Sequence, residues 1–191
     1  MNKVSLDDIM GISAYEKVRE NFRRRIIDLK QKRRVAVGNK ASLVFENRDT
    51  VIFQIQEMLR AERITDLDKI REEIEVYNGL IPEPGELSAT LFLEIEDQPH
   101  LREELLKFLG IDEALYLRVG SHTIHACFEE GRSKEDKISA VQYVKFPFGP
   151  RELSTFAGAE DAELRIDHPN YQASARISAE TRKSLLEDLT S

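Results

Sequence analysis

At 191 residues, with 41% hydrophobic and 33% charged side chains, the chain can bury a proper core and is too apolar to be disordered. Its single cysteine, Cys127, excludes a disulfide within the chain and cannot alone build a thiolate zinc or iron–sulfur site. No run approaches the ~18 apolar residues of a membrane span, and the opening "MNKVSLDDIMGIS" lacks the apolar stretch of a secretory signal. A cytoplasmic location is therefore expected. The net charge of −7 is unevenly spread: residues 17 to 34 hold nine bases against Glu20 and Asp28, a local +7 that leaves −14 on the rest. Such a block can face nucleic acid, a partner, or the acidic remainder of its own chain.

In chain order, Ser5 and Gly11 bound a short turn or helix. Ser13 with Glu16 reads as a capping box, and Tyr15, Val18, Phe22, Ile26 and Leu29 give helical spacing over about 14 to 33. Glu20, Arg24, Asp28 and Lys32 form a ladder of alternating charge on that helix. Arg19, Arg23, Lys30 and Arg34 lie on another strip without an acidic neighbour in the helix, and Arg25 sits at the edge of the apolar stripe. "RVAVGNKASLVFENRD" predicts a hairpin turning at Gly38-Asn39. A helix capped by Asp49 or Thr50 follows, although "VIFQIQ" also alternates like a strand. Thr65 or Asp66 starts the next helix, with Leu67, Ile70, Ile74 and Tyr77 inward and a stop at Asn78-Gly79.

"LSATLFLEI" is the strongest strand. Asp97 and Pro99 begin a helix ended by Gly110; strands "LYLRV", "TIHACFE" and "SAVQYVKFPF" follow, with "EGRSKEDK" as a polar loop. "PFGPRELSTFAGAEDAE" reads as a linker. "AELRIDHPNYQASARI" reads as a hairpin, and Ser178 caps a last helix to about Leu189. The pattern predicts an α+β fold: a mixed or mainly antiparallel sheet with helices packed on it, N-terminal helices, and a C-terminal hairpin-plus-helix extension. Residues 5–146 form the expected main domain. Residues 147–191 are too few to hold a core alone and should dock on that body or on a second subunit.

The sharpest chemical feature is "FQIQEMLRAER". At about 100° per residue, Glu62 falls in the apolar stripe of Val51, Ile55, Met58 and Leu59, while Phe53, Glu57, Arg60 and Ile64 share a second face. Apolar residues on both faces imply a helix between layers or at a subunit contact. An enclosed carboxylate needs a cation or hydrogen-bond donors, and Arg25 and Arg33 are the candidate cations. Glu57, Arg60, Glu62, Arg25 and Arg33 make up the candidate polar site. A structural ion pair between helices is the favoured reading; a metal or acid–base group is the functional one. Glu57 and Glu62 diverge by about 140° and would not chelate one ion together.

"HTIHACFEE" brings His122, His125 and Cys127 close in sequence, with His125 and Cys127 on one face of a strand. No organic cofactor is expected. A single transition-metal ion would need His122, His125 and a further ligand such as Glu62, Glu57 or Glu129. No Ser/His/Asp order, phosphate-cradling glycine loop or Cys-x-x-Cys is present. The basic strip of Arg19, Arg23, Lys30 and Arg34 could meet phosphates, but the acidic total and the lack of a reading module count against nucleic acid.

The ordered segments "FRRRIIDLKQKRRVAVG", "LVFENRDTVIFQIQEMLRAERI", "YNGLIP" and "LSATLFLEI" resemble a bacterial family known as domain of unknown function thirty-five-oh-one, over about residues 5 to 146. On that resemblance the stretch after Pro147 is an extension found in some members. The resemblance implies no catalytic residues. Because such genes often lie beside those for rubrerythrin-like and heterodisulfide-reductase-like iron–sulfur proteins, it implies a link to redox or peroxide defence. The leading expectation is an accessory or protein-interaction protein, a homo-oligomer with an iron–sulfur or rubrerythrin-like partner. The competing readings are a metal-dependent or acid–base enzyme with a Glu/His site, and nucleic-acid binding through the first long helix.

Overall fold

A computed structural model describes residues 1–130, 133–134, 137–158 and 161–191. The chain opens with a short 3-10 turn, Leu6–Asp8, in which the Ser5 amide donates to the Asp8 carboxylate at 2.8 Å. Helix α1 spans Ile12–Arg33 and is capped by Gly11, so Ser13 lies inside the helix and the expected capping box does not form. Strands β1 (Arg34–Ala36) and β2 (Ala41–Glu46) make the predicted hairpin, with Gly38 at φ +74°. A Cβ at Gly38 would stand 2.3 Å from the Tyr171 hydroxyl, and only glycine meets both demands.

Helix α2 (Arg48–Ala61) starts two or three residues earlier than the sequence suggested. Asn47 is the cap, accepting from the Thr50 amide at 3.1 Å while the Thr50 hydroxyl takes the Asn47 amide at 3.0 Å. Helix α3 (Leu67–Asn78) is capped by Asp66 as predicted and buries Ile74, but Leu67 stays 54% exposed. Strand β3 (Glu86–Leu93) is followed by a 3-10 turn, Gln98–His100, and the short helix α4, Leu101–Leu106.

Then come β4 (Leu115–Val119), β5 (His122–His125), β6 (Cys127–Phe128), the short strands β7 (Ser133–Lys134) and β8 (Lys137–Ile138), and β9 (Val141–Pro147). The polar loop expected over "EGRSKEDK" lies partly outside the described residues. The stretch read as a linker is instead helix α5, Pro150–Gly158, with Phe156 fully buried. Gly149-Pro150 suggested a break, yet proline suits a first helical turn, where its missing N–H costs nothing. Strands β10 (Ala162–His168) and β11 (Tyr171–Arg176) and helix α6 (Ala179–Leu189, capped by Ser178) close the chain.

The fold is α+β, and its strand pairs among the described residues are antiparallel. The first sheet runs β1-β2-β3-β9-β6 and the second β11-β10-β4-β5. Between them lies the larger core, with Leu43, Phe45, Leu87, Leu91 and Phe146 facing Leu115, Leu117, Leu164 and Ile166. Residues from beyond 147 are structural members of this body: β10 pairs with β4, and Phe156, Leu185 and Leu189 join the same core. A second core, Val51, Ile55, Leu59, Ile74, Leu80 and Ile81, sits where α2 and α3 cover the opposite face of the first sheet.

Candidate functional site

The helix layer shows where the predicted polar site goes. Tyr15 and Arg19 lie one turn apart on the inward face of α1, opposite Glu57 on α2. The Arg19 guanidinium grips both carboxylate oxygens at 2.7 and 2.8 Å, and the Tyr15 hydroxyl donates to Oε1 at 2.8 Å. Arg60 donates to Glu16 at 2.6 Å, a second bond across the same pair of helices. Arg19, more than any other group, holds the Glu57 carboxyl below its ordinary range, against the opposing effect of burial. Burial, and then the neighbouring Glu57, push the Tyr15 phenol up. A carboxylate held this way cannot rotate to a ligand, so the arrangement locks helices together.

Glu62 is not enclosed. The expectation extended a helical wheel one residue too far: α2 ends at Ala61, Glu62 is the cap, and its side chain is exposed. Arg63 takes the left-handed conformation at φ 53°, the Ile64 amide returns to the Leu59 carbonyl at 2.9 Å, and the Arg63 amide to that of Arg60 at 3.3 Å. This is a Schellman ending, in which an apolar residue after the turn packs back on the last helical turn. Ile64 joins the second core with Leu59 and occupies the role assigned to Glu62. Arg25 is likewise exposed, its guanidinium 4.9 Å above the Phe22 ring. Neither it nor Arg33 meets Glu57 or Glu62.

Arg33 is wholly buried and does something else. Its guanidinium donates to the carbonyls of Phe45 (2.9 Å) and Glu46 (3.1 Å), to the Ser184 hydroxyl (2.8 Å), and to the Asp188 carboxylate. One side chain thus ties α1 to β2 and α6. Burial pushes the Asp188 carboxyl up, with Arg33 opposing it.

The enclosed carboxylate under α2 belongs to Glu46, which sequence reading passed over as a strand end. It is 2% exposed and accepts from Thr50 at 2.5 Å, Gln54 at 3.1 Å and Thr90 at 2.6 Å. Two hydroxyls and an amide replace the cation that was sought; no ion pair to it exists among the described residues. The signal was available: in "ASLVFE", Ser42, Val44 and Glu46 share one strand face, and it is this face that α2 covers.

The histidines stay apart from the glutamates. His122 Nδ1 lies 3.7 Å from Glu152 and His125 packs on Tyr116, both on the second sheet, whereas Glu62 ends a helix on the far side of the first. His125 and Cys127 share the outward direction, but Ala126, whose amide bonds the Leu115 carbonyl, carries the chain from one sheet to the other. Among the described residues, no three of His, Cys, Asp and Glu converge as a metal site.

The basic strip is half consumed. Arg19 pairs with Glu57 and Arg34 with Glu94, while Lys32 and Arg33 pair with Glu180 and Asp188 on α6. Lys17, Arg23, Arg24, Arg25 and Lys30 have no ion pair among the described residues.

One site was missed altogether. Register aligns Glu46, Ser88, Lys145 and Cys127 across four neighbouring strands on the helix-covered face. Where α3 ends, a half-open cavity of about 380 Å³ opens over the Ser88–Lys145–Cys127 end of that row. Glu73, Val76, Tyr77 and Leu80 line it from the helix side; Phe128, Glu129 and Tyr143 line it from the sheet. Burial first, then the nearby Tyr143 and Glu73, raise the Tyr77 phenol above its ordinary value. Lys145 is held by Glu86 at 2.6 Å. No spacing in the sequence could announce this cavity, because its walls come from four separated segments.

The family described as "Protein of unknown function (DUF3501)" matches residues 3–189. The chain belongs to the DUF3501 family. The matched span takes in the stretch after Pro147, so the region common to DUF3501 proteins extends beyond residue 146, the end of the resemblance read from the sequence. A crystal structure of a novel protein of unknown function from Burkholderia pseudomallei K96243 is similar to it, at 33% identity and a TM-score of 0.92, covering 98% of this chain and all of that one. No curated protein matches the sequence.

Proposed function

We propose that this DUF3501 protein is a cytoplasmic accessory protein that binds an acidic partner through the exposed side of α1, within a redox or peroxide-defence system. On this reading the metals reside in the partner, an iron–sulfur or rubrerythrin-like protein. The supporting observation is the helix itself. Of its 22 residues only Tyr15, Ile26 and Arg33 are buried, and five of its bases, four of them exposed, have no ion pair among the described residues, in a chain of net charge −7. Val18 and Ile27, 41% and 40% exposed, add apolar contact area beside those bases. A charged surface with an apolar component suits a steered protein contact. Among the described residues, no helix is long and apolar enough to cross a membrane.

The Glu/His enzyme draws no support from the geometry, since its residues occupy different layers. The test is capture of the rubrerythrin-like and iron–sulfur proteins encoded beside such genes, over a salt series. Binding should weaken with salt and vanish in R23E/R24E/R25E, whose exposed positions leave the fold intact by circular dichroism. Capture of neither protein, or capture unchanged by the triple reversal, would defeat the proposal. Light scattering of the free chain reports whether a second copy competes for the same helix, and retention on heparin rather than on either protein would favour nucleic acid instead.

A further inference from the structure

We infer that the cavity at the end of α3 is a binding site for a small organic cation, an ammonium carrying apolar substituents. Two aromatic side chains meet there, Tyr77 from α3 and Tyr143 from β9, while Phe128 borders the space from β6 with its side chain on the Val144 face, against the inter-sheet core. Ring faces attract cations that have shed part of their water, and the attraction grows as the site is enclosed. Glu73 lines the same cavity one helical turn before Tyr77 on α3, so the site holds a carboxylate beside a ring. Among the described residues the ammonium in the wall is that of Lys145, which is matched by Glu86 at 2.6 Å and does not repel a cation as an unpaired ammonium would. Val76, 71% exposed at the mouth, and buried Leu80 supply the apolar contact that favours an alkylated ammonium over a bare metal ion. The volume of about 380 Å³ suits a small molecule. This reading does not depend on what α1 binds.

Cys127, exposed in the wall of the cavity and the only cysteine in the chain, provides a built-in reporter. Methanethiosulfonates react with it cleanly: the thiolate sulfur attacks the sulfenyl sulfur, methanesulfinate leaves with the electron pair, and the thiol proton goes to solvent. The experiment compares cationic trimethylammonioethyl methanethiosulfonate with anionic sulfonatoethyl methanethiosulfonate, each rate divided by that of the same reagent with a small free thiol. The cation should be favoured by about tenfold or more, the size expected of a partly enclosed cation–π site. Glu73→Gln and Tyr77→Leu should bring the ratio towards one; Tyr77→Phe, which keeps the ring, should preserve it. Glu72→Gln, on the exposed side of α3, controls for the overall negative field. Benzyltrimethylammonium should protect Cys127, and its neutral isostere neopentylbenzene should not. A ratio at or below one, equal protection by both compounds, or a ratio that Glu72→Gln lowers as much as Glu73→Gln would overturn the inference.

Discussion

The two faces of the first sheet are built on opposite principles. Towards the second sheet, Leu43, Phe45, Leu87, Leu91, Val144 and Phe146 are nearly or fully buried and apolar. Towards the helices, the same strands present Ser42, Glu46, Ser88, Thr90, Tyr143 and Lys145 beside the apolar Val44 and Phe92, and the rest of the apolar contribution comes from α2 and α3. The first face gains its stability from area removed from water, which is non-directional and tolerant. The second depends on hydrogen bonds that must each be completed, because an unmade bond to a buried carboxylate costs more than a made one gains. Directional chemistry collects on that side, and the cavity at the end of α3 opens there.

The comparison can be broken hardest from the apolar side. Phe146→Ala should cost about 4 kcal/mol in denaturant unfolding, as large-to-small changes in a dry core do; a cost below about 1 kcal/mol would mean that the inter-sheet core is loosely packed. On the polar side, Thr90→Val keeps the volume but removes one of the three donors to Glu46. Its expected cost is about 1–3 kcal/mol, and the double variant Thr90→Val with Glu46→Gln should cost less than the two single changes added together. Strict additivity would show that the bond carries no coupling.

Acid sharpens the contrast further. Glu57 has its folded-state pKa lowered chiefly by Arg19, so its contribution to stability is complete above the ordinary value of 4.5 and is lost as pH falls through the folded value. Asp8, brought down from 3.8 to about 2 first by the Ser5 amide and then by Arg48, acts in the same direction at lower pH. The α1–α2 layer should therefore loosen below pH 4.5 while the inter-sheet core persists, as amide exchange resolved by segment would show. Glu57→Gln should flatten that acid dependence. The smallest effect is expected at Arg63→Gly. Relieving a left-handed, exposed arginine at the end of α2 should stabilise the chain by about 0.5–1 kcal/mol in denaturant unfolding.

Much of the local structure was legible. The Gly38 hairpin, the Asp66 and Ser178 caps, the strand over 86–93 and the hairpin over 162–176 follow from turn chemistry and period-two alternation acting within a few residues. The misreadings fell where two local rules competed. Gly149-Pro150 can stop a chain or start a helix, and only the burial of Phe156 settles which. The stripe of α2 pointed at Glu62, but Arg63 turned the backbone and put Ile64 in its place.

The sequence alone determined the α+β class, most element positions, and the charge imbalance that leaves α1 basic in an acidic chain. Those properties depend on neighbours in the chain or on simple sums. Tertiary structure alone decided that Arg19 rather than Arg25 would meet Glu57, and that Arg33 would be spent on α6. It also decided that the enclosed carboxylate would be Glu46 and that Tyr77 and Tyr143 would face a common space. Each of these pairings joins residues far apart in sequence, and strand register and helix docking set their distances, which no local spacing encodes.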